Sequence, residues 1–314
     1  MGASAAAAHA VLAWSHSVHA VMQGGRTARR NIANRTTGHR VAVRGRPASS
    51  GDQDRAPPLP PLSERLRNGG YEAVLTTALL FGVATAVRWV IGASPVSRAI
   101  PGIHLELLLV GVLVGLLLAG LILSPLGHAS GGHLNPAISL AMWRLGVFPG
   151  RSVLLYWAAQ LTGSLLGVLL ARTVWGPSVA MPPVSYAALR PARGWSNGMV
   201  FGVEGASMAA IIVLVSVFLS VQRLAPRVPW LVGGLIGAAI AGLGTVTGGC
   251  VNPARQFGPA VFAGQFGFLT AYLVAPLAGA VVAVWLLGRF HHRKVLTPRL
   301  CGHPSADAAR DVAP

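Results

Sequence analysis

The chain has 314 residues, of which 53% are hydrophobic and 11% charged, against roughly 25% charged in soluble domains, which excludes an ordinary water-soluble globule. Two cysteines, Cys250 and Cys301, are too few for a disulfide scaffold and lack metal-ligand spacing. The net charge of +17 is compatible with nucleic acid, anionic lipid or membrane topology, so its placement has to decide.

Residues 1–68 read as a disordered basic tail, rich in Ala, Ser, Gly and Pro and including the run Pro57-Pro58-Leu59-Pro60-Pro61. The first 70 residues hold 10 Arg against Asp52, Asp54 and Glu64, a net of +7. No Phe, Tyr or Trp occurs from 26 to 68, so the stacking platforms of single-strand binders are missing and no nucleic-acid partner is expected. The apolar stretch Ala5 to Trp14 does not read as a signal peptide, because no positive residue precedes it and His9 interrupts it.

A bilayer core of about 30 Å needs roughly 20 apolar residues in a helix. Six segments qualify, at about 71–92, 105–126, 152–173, 197–221, 229–247 and 267–288. Two shorter stretches begin at Asn135 and Asn252 and run only about ten residues, to Arg144 and Gly264. Neither can cross alone, and the Gly-rich connections before them are tolerable at membrane depth only when buried or lining a cavity. Basic residues put Arg144, Arg151, Arg223, Arg227, Arg289, Arg293 and Lys294 on one side, which predicts both termini cytoplasmic. Arg98, Arg190 and Arg193 lie in the opposing loops, so the bias is not complete. Residues 291–314 form the predicted C-terminal tail.

The span pattern is an internal repeat, over about 71–173 and 197–288. Glu72, two spans, Ser130-Gly-Gly-His-Leu-Asn135-Pro136-Ala137 and a third span are matched by Glu204, two spans, Thr247-Gly-Gly-Cys-Val-Asn252-Pro253-Ala254 and a sixth. Three spans per unit turn the second unit upside down. The predicted fold is therefore an all-α membrane protein with six transmembrane helices and two re-entrant half-helices in an inverted repeat.

Asn is a strong N-cap and Pro is favoured at the first helical position, so each Asn-Pro-Ala marks a helix start. Two half-helices starting near the midplane from opposite faces aim their positive dipole ends at each other and repel cations. Water between the Asn135 and Asn252 amides accepts from both, which interrupts a proton-conducting wire. Gly131, Gly132 and His133, with Gly248, Gly249 and Cys250, are expected to present a ladder of carbonyl acceptors.

On these motifs, Gly127-His128-Ala129-Ser130-Gly131-Gly132-His133-Leu134-Asn135-Pro136-Ala137 and Gly249-Cys250-Val251-Asn252-Pro253-Ala254-Arg255, the chain resembles the major intrinsic proteins, the aquaporins and glycerol facilitators, over about residues 69–290. The resemblance implies an hourglass fold, a homotetramer with one pore per subunit in the cell membrane, passive flow of water and small uncharged solutes, no cofactor, and structural roles for Glu72 and Glu204. One departure is that Glu72 and Thr76 keep the family's Glu-x-x-x-Thr while the second half reads Glu204 and Met208.

The resemblance also implies a selectivity filter of Arg255 with three other positions. Counting without gaps puts these at Gly115 (or Val114 with a one-residue shift), Ile240 and Gly249. None is the aromatic or His of water-selective members, so the filter resembles the wide one of nodulin-like intrinsic proteins, linked with glycerol, urea, boric acid and arsenous acid. Gln256 and Ala260 replace the Asp and basic residue typical of glycerol facilitators, and Ala260 and Tyr272 resemble water channels. His128 and His133 have no Cys or carboxylate nearby in sequence and read as loop-bracing groups, so no metal is expected. Cys250 lies beside the predicted pore, two residues before Asn252 where the family's mercury-sensitive cysteine lies three before. His291 and His292 are expected in solvent or headgroups.

A coupled transporter also uses inverted repeats with broken helices, but it needs coupling charges in the membrane. The spans hold only Glu72, Glu106 and Glu204 as acidic residues; Glu106 begins its span, and the other two match the family's structural pair. An intramembrane enzyme is disfavoured because paired carboxylates, a Gly-x-Ser-x-Gly elbow and a metal cluster are all missing from the sequence.

Overall fold

The computed structural model describes residues 59–291 and 294–303. Residues 1–58 of the basic stretch, His292, Arg293 and residues 304–314 lie outside them. The described residues are helical, with no strand among them. In chain order the helices are α1 (Leu62–Val90), α2 (Pro95–Ala99), α3 (Ile103–Leu123), α4 (Pro125–Ser130), α5 (Pro136–Arg144), α6 (Gly150–Trp175), α7 (Asn197–Leu219), α8 (Val228–Leu243), α9 (Pro253–Ala263) and α10 (Leu269–Phe290). Six of them, α1, α3, α6, α7, α8 and α10, are long and apolar enough to span a bilayer, and α5 and α9 are the two short segments.

Local sequence sets several boundaries. Ser124 ends α3 and caps α4 by accepting from the Gly127 N–H, with Pro125 at the first helical position. Ser196 caps α7 in the same way through the Met199 N–H, and Gly264 ends α9 in the left-handed region at φ 65°.

Helix crossings are set by residues small enough for backbones to touch. The first and third spans run parallel, with Gly163 facing the Ala73 carbonyl and Gly167 the Thr77 carbonyl. The fourth and sixth spans repeat this arrangement, Gly279 facing the Gly205 carbonyl. Between the halves α3 and α8 run antiparallel, Gly111 against Gly237 and Gly115 against Gly233. Two parallel pairs related through one antiparallel pair are the packing an inverted repeat requires. Outside, Leu108, Leu166, Leu169 and Val281 are exposed as a lipid-facing surface needs. Arg144 lies over Trp143 and Arg289 over Trp285, with Arg88 over Trp89 at the other end, the amphipathic pairing of a membrane–water boundary.

Two boundaries differ from the sequence expectation. Helix α1 starts at Leu62, not near 71, so the last residues assigned to the N-terminal tail are helical. Arg65 donates to Ser152 Oγ at 3.2 Å and to the Arg151 carbonyl at 2.6 Å, binding the polar first turns to the start of α6, an interaction that hydropathy does not register. At the other end, the segment 294–303 packs back onto the channel body: Leu300 and Cys301 are buried, the Leu300 N–H donates to the Gly131 carbonyl at 2.9 Å, and the Leu296 N–H to the Leu219 carbonyl at 3.2 Å. His291 Nε2 lies 3.3 Å from Ser220 Oγ rather than free in solvent.

Candidate functional site: two half-helices around a narrow cavity

The starts of α5 and α9 meet in the middle of the molecule. Asn135 Oδ1 accepts from the Ala137 N–H at 2.9 Å and Asn252 Oδ1 from the Ala254 N–H at 3.0 Å, so each side chain caps its own half-helix. Each amide also reaches across: Asn135 Nδ2 donates to the Val251 carbonyl and Asn252 Nδ2 to the Leu134 carbonyl, both at 3.0 Å. One N–H of each amide is used in this exchange and the second remains for the cavity.

The leaders before each Asn are folded by a buried carboxylate. Glu72 accepts from the N–H groups of His133 (3.0 Å) and Leu134 (2.7 Å), from Ser130 Oγ (2.7 Å) and from Gln160 Nε2 (2.9 Å). Glu204 accepts from the N–H groups of Cys250 (3.1 Å) and Val251 (2.7 Å). These bonds hold Leu134 at φ 50° and Val251 at φ 41°, a region that costs non-glycine residues energy and is worst for a β-branched one. Tyr156 and Tyr272 close the matching positions, each hydroxyl donating at 2.6 Å to the carbonyls of Ser130 and Thr247.

The cavity along this axis has a volume of about 40 Å³. At about 10–15 Å³ per water position, that is room for a short single file. Its wall carries Val114, Leu118 and Ile122 of α3, Ile240 of α8, and His133, Asn135, Gly249, Cys250, Asn252 and Arg255, with no Phe, Tyr or Trp among the described lining residues.

Arg255, in the first turn of α9, is aimed by the loop between α6 and α7. Its guanidinium donates to the Ala187 carbonyl at 2.8 Å and lies 3.4 Å from Gln256 Oε1. Gln256 latches the same loop, accepting from the Leu189 N–H at 3.0 Å and donating to the Leu189 carbonyl at 3.1 Å. That pairing supplies a reason for Gln256 that matching it to family classes did not. The loop is folded tightly, with Ser185, Tyr186 and Ala187 at φ 42°, 58° and 61°.

Several site residues stand where the sequence count did not put them. Gly115 does not face the cavity: a Cβ there would meet the Gly233 carbonyl at 2.5 Å. Because Gly233 and Ile240 are seven residues apart on α8, Gly115 is displaced from Ile240 by about 10 Å along the helix axis at 1.5 Å per residue. The alternative, Val114, does line the cavity, but on the same register it stands about 9 Å from the level of Ile240 at 1.5 Å per residue. Of the six residues expected to form the carbonyl ladder, His133, Gly249 and Cys250 line the enclosed space. Gly131 gives its carbonyl to Leu300. A Cβ at Gly132 would meet Ile122 and one at Gly248 the Leu189 side chain, and neither glycine is among the residues lining the cavity. Gly249 must be glycine for a local reason, since at φ 59° a Cβ would meet the Ala239 carbonyl at 2.3 Å.

Groups that motif reading passed over complete the support. Trp157 Nε1 donates to the Pro136 carbonyl at 2.9 Å. Ser164 Oγ donates to the Ala254 carbonyl and accepts from the Gly258 N–H. His133 is braced by Ser139 Oγ at 3.1 Å and by the Pro298 carbonyl at 3.0 Å. At the rim beside the C-terminal segment, burial holds the His128 imidazole below its usual pKa, with His303 and Arg299 adding to the effect. None of these partners shares a motif with its target, so only an apolar helix face carrying one polar residue, as at Gln160 and Ser164, hinted at them.

The family model described as "Major intrinsic protein" matches residues 65–287. Mouse Aquaporin-8 is 31% identical over 249 residues, covering 76% of this chain and 92% of that protein. "Probable aquaporin AqpM" of Archaeoglobus fulgidus is 35% identical over 183 residues, 56% of this chain and 74% of that protein. "Probable aquaporin NIP7-1" of Arabidopsis thaliana is 32% identical over 215 residues, 68% of this chain and 72% of that protein. In three dimensions the aquaglyceroporin of Plasmodium falciparum superposes with a TM-score of 0.60 at 22% identity, over 72% of this chain and 96% of that one, a likeness of fold. The chain belongs to the major intrinsic protein family and is a membrane channel for water, small solutes or both, not an enzyme.

Proposed function

We propose that this channel passes water together with small uncharged solutes of the glycerol, urea or metalloid-acid class, and that it excludes ions and protons. The observation carrying this reading is the character of the wall near Arg255: Ile240 and Gly249 share the cavity with the guanidinium, and no Phe, Tyr or Trp is among its described lining residues. An apolar side chain opposite an ionised donor group suits a molecule with a carbon backbone and hydroxyl or amide edges. The Asn135 and Asn252 amides, at the facing positive ends of α5 and α9, exclude cations and reorient water. The chain acts as a homotetramer in the cell membrane with both termini cytoplasmic, a placement supported by the basic residues Arg144, Arg223, Arg227 and Arg289 on one face.

One observation favours a strictly water-selective channel instead: a cavity of about 40 Å³ holds a file of waters more readily than a glycerol. Vesicles reconstituted with the protein and examined by stopped-flow light scattering under water, glycerol, urea and boric acid gradients separate the two. Uptake of at least one solute well above protein-free vesicles is expected, and fast water flow with no solute uptake overturns the wide-filter reading. In the same assay Ile240→His is expected to cut solute flux severalfold while leaving most of the water flux. Equal loss of both would mean that Ile240 is not at the constriction.

A further inference from the structure

Three side chains of metal-ligating type that do not line the cavity converge beside α4 in the first half. His128 comes from α4, between the second span and the first half-helix, and Cys301 and His303 come from the C-terminal segment, more than 170 residues away in the chain. Their ligand atoms all lie within 4.8 Å of one another. Cys301 is fully buried, His128 partly so, and His303 is exposed at the edge. We propose that His128, Cys301 and His303 form a Zn²⁺ site that fastens the segment 294–303 to α4 beneath the first half-helix.

The local structure prepares these groups. His303 Nδ1 lies 3.0 Å from the Cys301 carbonyl. A carbonyl only accepts, so Nδ1 carries the proton and the Nε2 lone pair is left for a metal, the arrangement usual for ligating histidines. The turn between Cys301 and His303 is pinned by Gly302 at φ 74°, where a Cβ would strike the Ala225 carbonyl at 2.2 Å. The His128 and His303 rings are 5.0 Å apart, centre to centre. With Zn–S near 2.3 Å and Zn–N near 2.0–2.1 Å, tetrahedral ligand atoms stand roughly 3.3–3.8 Å apart. The trio must therefore draw in by about 1 Å, a movement open to the exposed His303 ring. Two imidazoles and one thiolate suit a borderline-soft cation and not Mg²⁺ or Ca²⁺. Binding forms the Zn–S bond and releases the Cys301 thiol proton to solvent, one per ion, with water left to fill the fourth position.

A site here joins two parts already in contact. The Leu300 N–H donates to the Gly131 carbonyl at 2.9 Å, and the Pro298 carbonyl lies 3.0 Å from His133 Nε2. The ion would lock this segment against the leader of α5.

The test uses full-length protein purified without a polyhistidine tag. Zn²⁺ is titrated in competition with a chromophoric chelator, Mg²⁺ serves as a control, and Co²⁺ is substituted to read thiolate coordination. One Zn²⁺ per chain is expected, with affinity at least tenfold weaker in His128→Ala and in Cys301→Ser. The Co²⁺ charge-transfer band should disappear in Cys301→Ser alone of the single variants. Because Cys301 is buried and its replacement risks misfolding, His303→Ala at the exposed edge provides a second arm, expected to weaken binding severalfold while water flux stays normal. No Zn²⁺ binding beyond that of the protein-free solution, or an affinity unchanged by His128→Ala and His303→Ala, overturns the proposal.

Discussion

The two halves build the same device with unequal support. In each, a buried glutamate accepts two successive backbone N–H groups, a left-handed residue precedes the Asn, and the Asn caps its helix while donating across the axis. Beyond that core they diverge. Glu72 has two further donors, Ser130 and Gln160, that Glu204 lacks. The first leader rests on the C-terminal segment through Gly131 and His133, whereas the second half is anchored by the loop between α6 and α7 that Gln256 holds and Arg255 touches. The shared parts fix what both ends need, a pair of amides at a common point. The unshared parts give the two mouths different characters, one braced by a tail and one carrying a fixed cation.

Removing the shared carboxylate tests this asymmetry most severely. Glu72→Ala leaves four donors without an acceptor and Glu204→Ala leaves two. At about 1–3 kcal/mol for each buried orphan, the first is expected to cost roughly twice as much, read as thermal unfolding in detergent. Equal losses would show that Ser130 and Gln160 find other partners. Next in size is Gly115→Val at the seam between halves, where the added carbons would press on the Gly233 backbone; overpacking of this kind costs about 1–3 kcal/mol or more. A stable Gly115→Val protein with altered solute flux would return Gly115 to the filter. The smallest effect expected is from Gln256→Ala, which frees the Leu189 backbone and loosens the loop that aims Arg255. Stability should fall by about 1–2 kcal/mol, and the ratio of solute to water flux should change while Glu72 and the first leader stay intact. An unchanged ratio would mean that Ala187 alone positions the guanidinium.

The spans, the two short helices and their inverted relation were legible because each rests on a pattern local in sequence: apolar length, an Asn-Pro start, a Gly-Gly leader. Gly115 was misplaced for the opposite reason. A glycine at a helix crossing and a glycine at an open pore wall look alike in sequence, and only the Gly111–Gly237 and Gly115–Gly233 register tells them apart. The start of α1 escaped hydropathy because Glu64, Arg65 and Arg67 are polar, and the packed segment 294–303 escaped because it reads as a polar, Pro-containing tail. Ala187 and Leu189 act through backbone atoms, which no side-chain motif records.

What the amino-acid order determined by itself is the membrane class, the number of spans, the helix starts at Pro136 and Pro253 and the antiparallel sense of the repeat, because hydrophobic length, capping and parity need no knowledge of distant neighbours. Only the tertiary structure decided which face of each helix meets the cavity, how Arg255 is aimed, and that His128 stands beside Cys301 and His303. Those facts depend on contacts between residues tens to hundreds of positions apart, and such contacts are set by backbone register and packing, to which a local pattern is blind.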